Sequence, residues 1–417
     1  MNTNEVIEGI CNDLTELEEE GHKQLGIKDL RLFNLNDTAA AFEHALREVL
    51  ALDEVAPTDF FHSQSDWRRF VYSLLEKATT QRRQTRTCIW PQCSRLAKMS
   101  HTLSRRGPLH AIAENGHVLT PRINIETGQY EMHKIGVGRA STFPGFCCNH
   151  EQLFGAFENR GQLAAPAHIS MQTVRTIFRE IVTNELGLTC LDCTLQAYQS
   201  LLCERGTELL QAAMNKYLPQ SLLGRMHITS TASTDGAIAI VTREISERKA
   251  YLDLLWHFLN RALDDLSGNK ECLMHVAVTV NQPLPACLAG MGNFDVRDGK
   301  TSRRIHAVLN TWVTTDNSVI FITVKRSHKR YLLHYLSNYL DGQLFGPLSL
   351  IESWMVHGTD HWFVQPSMWE QLPFSRRRRI LRDMSADKYN LGEQYLIPIF
   401  DGIRADTLRL STDDTRT

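Results

Sequence analysis

Apolar side chains near the N-terminus recur every three or four residues, which is the period of an amphipathic α-helix. The pattern predicts one helix over residues 6–17 and a second that starts after Asn36 or Asp37 and ends before Pro57. A third helix is predicted over residues 65–79, with the Ser65 hydroxyl as its N-cap. The first eighty residues are therefore expected to be helical.

The spacing changes after residue 80. Stretches of β-forming residues, bounded by the turns Asn115-Gly116 and Thr127-Gly128, predict strands over 117–125 and 129–135. Helical spacing returns over 170–186, 195–218 and 243–266, and a short strand pair is predicted over 226–231 and 237–242. Further strands are predicted over 274–280, 305–313 and 318–326, followed by a basic helix over 327–340.

The composition is that of a folded protein. Hydrophobic residues make up 42% and charged residues 22% of the 417 residues, which argues against disorder and against collagen or coiled-coil fibres. No apolar stretch approaches the roughly 20 residues that span a bilayer, and the N-terminus lacks the basic and apolar parts of a secretory signal. We therefore expect a cytoplasmic protein with no membrane partner, whose ten cysteines are reduced thiols or metal ligands.

The net charge of −2 excludes a generally basic nucleic-acid coat protein, but the charge is unevenly distributed. Residues 1–66 hold fifteen acidic and four basic residues, whereas residues 68–106 hold ten basic residues and one acidic residue. This asymmetry indicates an acidic helical region beside a basic functional segment.

The basic segment contains the pattern of a zinc site. Cys88 and Cys93 are separated by four residues, and Cys147 and His150 follow after 53 intervening residues, at the start of a predicted helix. Structural zinc takes four thiolate or imidazole ligands in a tetrahedron, and a tight turn and a helix start can supply two each. The pattern predicts zinc bound by Cys88, Cys93, Cys147 and His150, with Cys148 as the alternative to Cys147.

These features predict a multidomain α+β protein with a treble-clef zinc finger. We expect an acidic helical region over 1–80, the zinc-finger segment over 81–165, a helical region over 166–270 and an α+β C-terminal domain over 271–417. Cys190 and Cys193, and His357 and His361, are also spaced as metal ligands, but their surroundings favour structural roles. Three tryptophans are expected to anchor the C-terminal core: Trp354, Trp362 and Trp369.

Ser100-His101 lies between the halves of the zinc pattern, and the segment from Cys88 to about Phe157 resembles the HNH-type, or ββα-metal, nucleases. The resemblance rests on a cysteine pair, a small residue followed by His, and Cys-x2-His entering a helix. It implies that His101 is a general base, with a divalent ion such as Mg²⁺ or Mn²⁺ on the scissile phosphate.

The segment departs from that family at three positions. Ser100 stands where the family has an acidic residue or a second His, and Glu151 or Glu158 would have to replace the last His ligand of the helix. Asn115, Asn124 and Asn149 compete for the position of the family's downstream Asn.

A narrower group matches more closely. The phrases SHTLSR, AENGHV and GVGRASTFPGFCCNHEQLF, with IESW and HWFVQPSMW farther on, are similar to bacterial zinc-finger effectors of anti-phage defence, including ring-activated zinc-finger RNases. This resemblance implies a homo-oligomeric nuclease that is latent until a phage protein, such as a ring-shaped structural protein, engages it. It would then degrade cellular RNA and so stop phage propagation.

A metal-free mechanism also suits these residues. His101 would be the base and the RNA 2′-hydroxyl the nucleophile, Arg105, Arg106 and Arg139 would stabilise charge, and His117 or His133 would be the acid. The candidate catalytic residues are His101, Arg105 and Ser100. The candidate RNA contacts are Arg106, Arg139, Arg326, Lys329 and Arg330. An HNH-like DNase and a non-enzymatic nucleic-acid-binding protein remain the alternatives.

Overall fold

The computed structural model describes residues 63–217, 236–268, 270–298, 301–341, 345–385, 391 and 394–404. The helices predicted over 6–17 and 36–57 and the strand predicted over 226–231 lie outside these residues. The chain divides into two compact units, residues 1–74 with 190–247 and residues 75–189 with 248–417.

Helices are found along the whole described part of the chain. Their bounds are α1 Gln64–Thr85, α2 Pro108–Ala111, α3 Cys148–Glu151, α4 Gly155–Glu158, α5 Pro166–Tyr217, α6 Gly236–Leu266, α7 Lys329–Leu340, α8 Gly346–His357, α9 Pro366–Gln371 and α10 Phe374–Met384. Short 3₁₀ turns, Gln152–Phe154 and Arg326–His328, precede α4 and α7. Among the described residues, no helix has both the length and the apolar composition that a membrane crossing requires.

The strands all belong to the second unit. Their bounds are β1 Met99–His101, β2 His117–Ile123, β3 Tyr130–Gly136, β4 Thr142–Pro144, β5 Leu273–Val280, β6 Ala286–Asp298, β7 Thr301–Val313, β8 Ser318–Lys325 and β9 Trp362–Val364. β1 and β4 form a two-stranded antiparallel sheet, and the others form a seven-stranded sheet in the order β3-β2-β9-β6-β7-β8-β5. Helices and antiparallel sheets together make the fold α+β.

The large sheet joins distant parts of the chain. The β2–β3 hairpin comes from the predicted zinc-finger segment, and β5 to β9 come from the predicted C-terminal domain. β9 connects them, because Val364 pairs with Leu119 of β2 and with Ala286 of β6. The predicted boundaries at 80, 165 and 270 stay a prediction, but this sheet crosses two of them.

Apolar residues cover both faces of the central strands. On β7, Ile305 and Leu309 pack into a core that contains the fully buried Trp354 and Trp362, as predicted for these tryptophans. Val308, on the opposite face, packs into a second core formed with α5, α6 and the residues around Cys88. We call this second group the finger core, since it holds the predicted zinc-finger segment against the sheet.

Three local predictions were wrong. The residues predicted as a strand over 237–242 belong to α6, whose apolar positions continue at helical spacing through Ile245 and Leu252. The two helices predicted over 170–186 and 195–218 are one helix, α5. No proline interrupts it, and the Thr189 hydroxyl donates to the carbonyl of Glu185, four residues earlier.

The third wrong prediction concerns the cap of α1. The helix begins before Ser65, and the hydroxyl of Ser63 accepts the N–H of Asp66 at 3.2 Å. The same hydroxyl donates to the Asp66 carboxylate at 2.8 Å, which ties the capping side chain to the first turn of the helix.

Candidate metal centre and catalytic histidine

The four predicted ligands meet at one point. One ligand atom each from Cys88, Cys93, Cys147 and His150 lies within 4.8 Å of the others, which is the only such group of metal-binding side chains in the described part of the chain. The Sγ atoms of Cys93 and Cys147 are 3.9 Å apart, and the Nδ1 of His150 is 3.3 Å from Cys88 Sγ and 3.5 Å from Cys147 Sγ. Tetrahedral zinc requires about 3.8 Å between two sulfurs and about 3.6 Å between sulfur and nitrogen.

The positions of Cys147 and Cys148 show which of the two belongs to the group of metal-binding side chains. Cys147 is buried at the N-cap of α3 and lies in the cluster, whereas Cys148 is exposed and lies outside it. The donor set of three thiols and one imidazole fits a metal such as zinc.

A turn explains the wide spacing of the first pair. The Cys93 N–H donates to the Trp90 carbonyl at 3.1 Å, with Pro91 and Gln92 between them. Gln92 has φ 62°, and a proline followed by a residue with positive φ is the arrangement of a type II turn. This extra turn brings Cys93 back beside Cys88.

Backbone N–H groups point at the sulfurs. Burial raises the pKa of Cys88 to about 11, although the backbone N–H groups of Cys147 and Trp90 lower it. The backbone N–H of His150 lowers the pKa of Cys147. Such N–H···S contacts stabilise thiolates, the form in which cysteine binds metal.

His101 lies at the end of β1, where it pairs with Thr142 of β4 in front of α3. Its ring contacts the backbone of Val137, and its Nε2 is buried with no hydrogen-bond partner. Burial, and then the positive charge of Arg175, lower the pKa of His101. Both effects favour the neutral form of the imidazole.

A buried ion cluster lies next to this imidazole. The guanidinium of Arg175, on α5, is fully buried and donates to Glu151 and to Glu158 at 2.5 Å each. Burial raises the pKa of Glu151, although Arg175 acts in the opposite direction. Glu151 and Glu158 are the carboxylates that had to replace the missing metal-binding His, and a protein cation binds both of them.

The end of β1 is held by hydrogen bonds from residues that are distant in the sequence. Ser141, with φ 58°, accepts the N–H of Thr102 with its carbonyl and the N–H of Leu103 with its hydroxyl, each at 2.9 Å. Its hydroxyl donates to Nε2 of the buried His361 at 3.2 Å, and Nδ1–H of His361 donates to the Ala289 carbonyl at 3.0 Å. His361 thus has the structural role that its surroundings indicated.

The other predicted catalytic residues lie near His101 but differ in exposure. Ser100 is 1% exposed and its hydroxyl accepts the Phe146 N–H at 3.1 Å. This contact joins β1 to the chain before α3. The catalytic role of Ser100 stays a prediction. Arg105 is exposed, and its charge reaches the imidazole of His101.

The predicted RNA contacts fall into two places. Arg106 and Arg139 are exposed in the predicted zinc-finger segment, in the loops after β1 and after β3. Arg326, Lys329 and Arg330 are exposed at the start of α7. Arg326 is paired with Glu271 at 2.6 Å, and Arg330 packs on the ring of Tyr331.

Sequence reasoning missed Arg175. This residue left a signal, because it is a charged residue between Val174 and Ile177 on the apolar face of a helix. Comparisons with protein-family models, with curated proteins and with solved structures gave no match for this chain.

Proposed function

We propose that residues 81–165 form a treble-clef zinc finger that carries a ribonuclease centre at His101. Zinc would be structural: bound to Cys88, Cys93, Cys147 and His150, it would pin the turn at Cys93 to the start of α3. The soft donor set and the tetrahedral distances support this ion. The metal-ligand helix would then hold β4, and with it β1, in place.

The observation that carries the ribonuclease proposal is the Nε2 of His101, which is buried and has no hydrogen-bond partner. Such a nitrogen can accept a proton from an RNA 2′-hydroxyl. The freed oxygen would form a bond to the adjacent phosphorus, and the bond from phosphorus to the 5′-oxygen would break. The products would be a 2′,3′-cyclic phosphate and a 5′-hydroxyl.

The leaving 5′-oxygen needs a proton, and His117 is the better placed of the two candidate acids. It pairs with Gly136, the residue before the Val137 that contacts His101. His133 lies farther along the same hairpin, opposite Thr120. Exposed Arg105 would stabilise the charge that develops on the phosphate.

The burial of Nε2 supports latency. RNA does not reach this nitrogen in the conformation described, so activation must expose it. We propose that the chain is an anti-phage effector whose trigger, a phage protein, causes this exposure, and that the active form is a homo-oligomer. The trigger and the homo-oligomer are proposed from the resemblance to zinc-finger effectors. The need for a trigger is proposed from the burial of the His101 imidazole.

A metal-dependent DNase of the HNH type is the second candidate. It would need carboxylates at Glu151 and Glu158 to hold the divalent ion, and Arg175 binds both. This contact favours the metal-independent ribonuclease.

The test is incubation of the purified full chain with total RNA and with plasmid, in buffer and in extract of infected cells. Each reaction is run with and without EDTA, and zinc content is measured afterwards to show that the structural ion was retained. The variants are His101→Ala and, as a matched control on the same unit, exposed His110→Ala. RNA cleavage that resists EDTA, ends in 2′,3′-cyclic phosphates and disappears only in His101→Ala supports the proposal.

Three results would overturn it. RNA cleavage unchanged in His101→Ala would remove the assigned base. EDTA-sensitive nicking of plasmid would establish the DNase. Nucleic-acid binding without cleavage, even in infected extract, would leave a non-enzymatic adaptor.

A further inference from the structure

Helix α10 carries a dense group of positive charges. Five of its 11 residues are arginines: Arg376, Arg377, Arg378, Arg379 and Arg382. The Asp401 carboxylate pairs with Arg376. Asp383 is shared by two others, since it lies 3.9 Å from Arg379 and 3.5 Å from Arg382. Within the described part of the chain, neither Arg377 nor Arg378 forms an ion pair, so positive charge is in excess on this helix.

A row of exposed side chains runs along α10. Phe374, Arg378 and Arg382 are exposed and follow one another at four-residue spacing, which places them on one side of the helix, about 6 Å apart along its axis. Arg379, next to this row, is exposed as well. The helix is anchored on its other side, because Ile380 is fully buried in the core. A fixed helix therefore presents these arginines to solvent.

The row begins with an exposed aromatic ring. Phe374 is 66% exposed, and on α10, which the structure describes in full, it is the one large apolar side chain that is exposed. The Cζ atoms of Arg378 and Arg377 lie 5.7 Å and 6.0 Å from the centroid of its ring. An aromatic ring beside cations suits single-stranded nucleic acid, because a base can stack on the ring while the cations contact the backbone.

The start of α10 carries charge of the sign that destabilises a helix. Its first turn has no acidic residue, no side chain caps it, and Arg376 and Arg377 come directly after Phe374 and Ser375. Helix N-termini carry a partial positive charge and are stabilised by acids, so these arginines oppose the helix dipole. A bound polyanion would offset this repulsion, which favours a negatively charged partner.

Helix α10 also contacts the hairpin that leads to the candidate catalytic centre. It lies against β3, and Met132 of β3 packs on the core that contains Ile380. β3 ends at Gly136, and the next residue, Val137, contacts the ring of His101. A strand bound to α10 would therefore lie beside the β2–β3 hairpin, in the same compact unit as His101.

We propose that α10 is a docking surface for single-stranded RNA, on which a base stacks on the Phe374 ring and backbone phosphates contact Arg378 and Arg382. The choice of RNA rests on the proposed function, since a ribonuclease must hold the strand that it cleaves. Stacking accepts any base and the arginines contact the backbone alone, so binding has little sequence preference. An anionic membrane is the other partner of basic helices, but it needs a wider apolar face than one exposed ring.

The experiment measures binding of a fluorescently labelled oligouridine with methylated 2′-oxygens, by anisotropy on the full chain at several salt concentrations. This probe has no free 2′-hydroxyl, so the proposed centre cannot cleave it. Phe374→Ala should weaken binding about tenfold without changing the slope of log affinity against log salt, and Phe374→Tyr should bind like wild type. The double variant Arg378→Gln/Arg382→Gln should reduce that slope by about 0.7 for each lost phosphate contact.

Arg243→Ala is the matched control, since Arg243 is an exposed arginine of α6 that pairs with Glu247. It should bind like wild type, and thermal unfolding checks that each variant is folded. Equal weakening in Arg243→Ala would show that binding follows total charge and would overturn the docking surface. Unchanged affinity and salt slope in both Phe374→Ala and the double arginine variant would overturn it too.

Two further measurements separate this surface from its alternatives. If α10 variants lose binding to vesicles of phosphatidylcholine and phosphatidylserine, and the chain does not bind the oligouridine, RNA is overturned as the partner. Cleavage of unmodified oligouridine in extract of infected cells tests the centre itself. The α10 variants should raise KM and keep kcat, whereas His101→Ala should lose kcat.

The docking surface and the ribonuclease can fail independently. Cleavage that depends on His101, with KM unchanged in the α10 variants, would overturn the docking surface and leave the ribonuclease intact. Binding that depends on α10, without cleavage of any RNA, would support the docking surface and overturn the ribonuclease.

Discussion

The indole of Trp90 lies against the imidazole of His150, with 5.1 Å between the ring centroids and 17° between the ring planes. Trp90 comes from the turn between the first two cysteines, so one half of the metal centre holds a ligand of the other half. The same indole also packs on Phe146 and Phe178 of the finger core.

Replacing this indole should loosen the metal centre. We expect Trp90→Ala to lower the free energy of unfolding by about 3 kcal/mol, because a large aromatic contact is lost, and to speed zinc release to a chelator. Trp90→Phe retains a flat ring and should lie close to wild type. Thermal unfolding and a colorimetric zinc-release assay measure the two effects; identical release rates in Trp90→Ala and wild type would show that the stack does not hold His150.

The neighbouring cysteines provide a matched pair for the metal assignment. Cys147→Ser should abolish zinc binding and unfold the finger, since structural zinc contributes about 10 kcal/mol or more to such modules. Cys148→Ser should keep full zinc content, because its side chain is exposed and outside the cluster. Elemental analysis measures the zinc content of both purified variants. Zinc lost in Cys148→Ser but kept in Cys147→Ser would show that Cys148 is the ligand instead of Cys147.

The contribution of the buried Arg175 charge to stability can be tested by removing that charge. Arg175→Met leaves Glu151 and Glu158 without their cation, and we expect a loss of about 3–5 kcal/mol at pH 7. When folding raises the pKa of a carboxyl, the free energy of unfolding increases as the pH falls. The loss caused by Arg175→Met should therefore be smaller at pH 5 than at pH 7. Urea unfolding at both pH values measures this difference. The triple variant with Glu151→Gln and Glu158→Gln should recover part of the loss, and no recovery would point to packing alone.

The burial of His306 should make the protein less stable in mild acid than at neutral pH. Its folded-state pKa is about 4, below the ordinary value of 6.5, so the unfolded chain binds more protons between these two values. Stability is therefore complete above pH 6.5 and decreases as the pH falls toward 4, by about 1 kcal/mol after solvent screening. Chemical unfolding in phosphate-free buffer should show a weaker pH slope for His306→Gln. An unchanged slope would assign the effect to other groups.

Local chemistry made the metal site predictable. The spacing of Cys88, Cys93 and the Cys147–His150 pair needs a turn and a helix start, and both are encoded nearby in the chain. The same is true of the β2–β3 and β7–β8 hairpins, whose turn residues and alternating strands are local signals.

Features that depend on distant residues were not predictable. The choice of one continuous helix over 166–217 depends on packing along its whole length, because propensity alone is a weak guide. Arg175 meets Glu151 and Glu158 only after α5 folds against α3 and α4.

The pairing of Val364 with Leu119 also affects the order of folding during synthesis. The β2–β3 hairpin leaves the ribosome long before β9 does, so its open edge has no partner until β9 has been made. Unpaired strand edges invite association with other chains, and pairing of residues far apart in sequence is slow. The nascent chain therefore cannot complete its large sheet before β9 has left the ribosome, and chaperones that shield exposed strands should improve its yield.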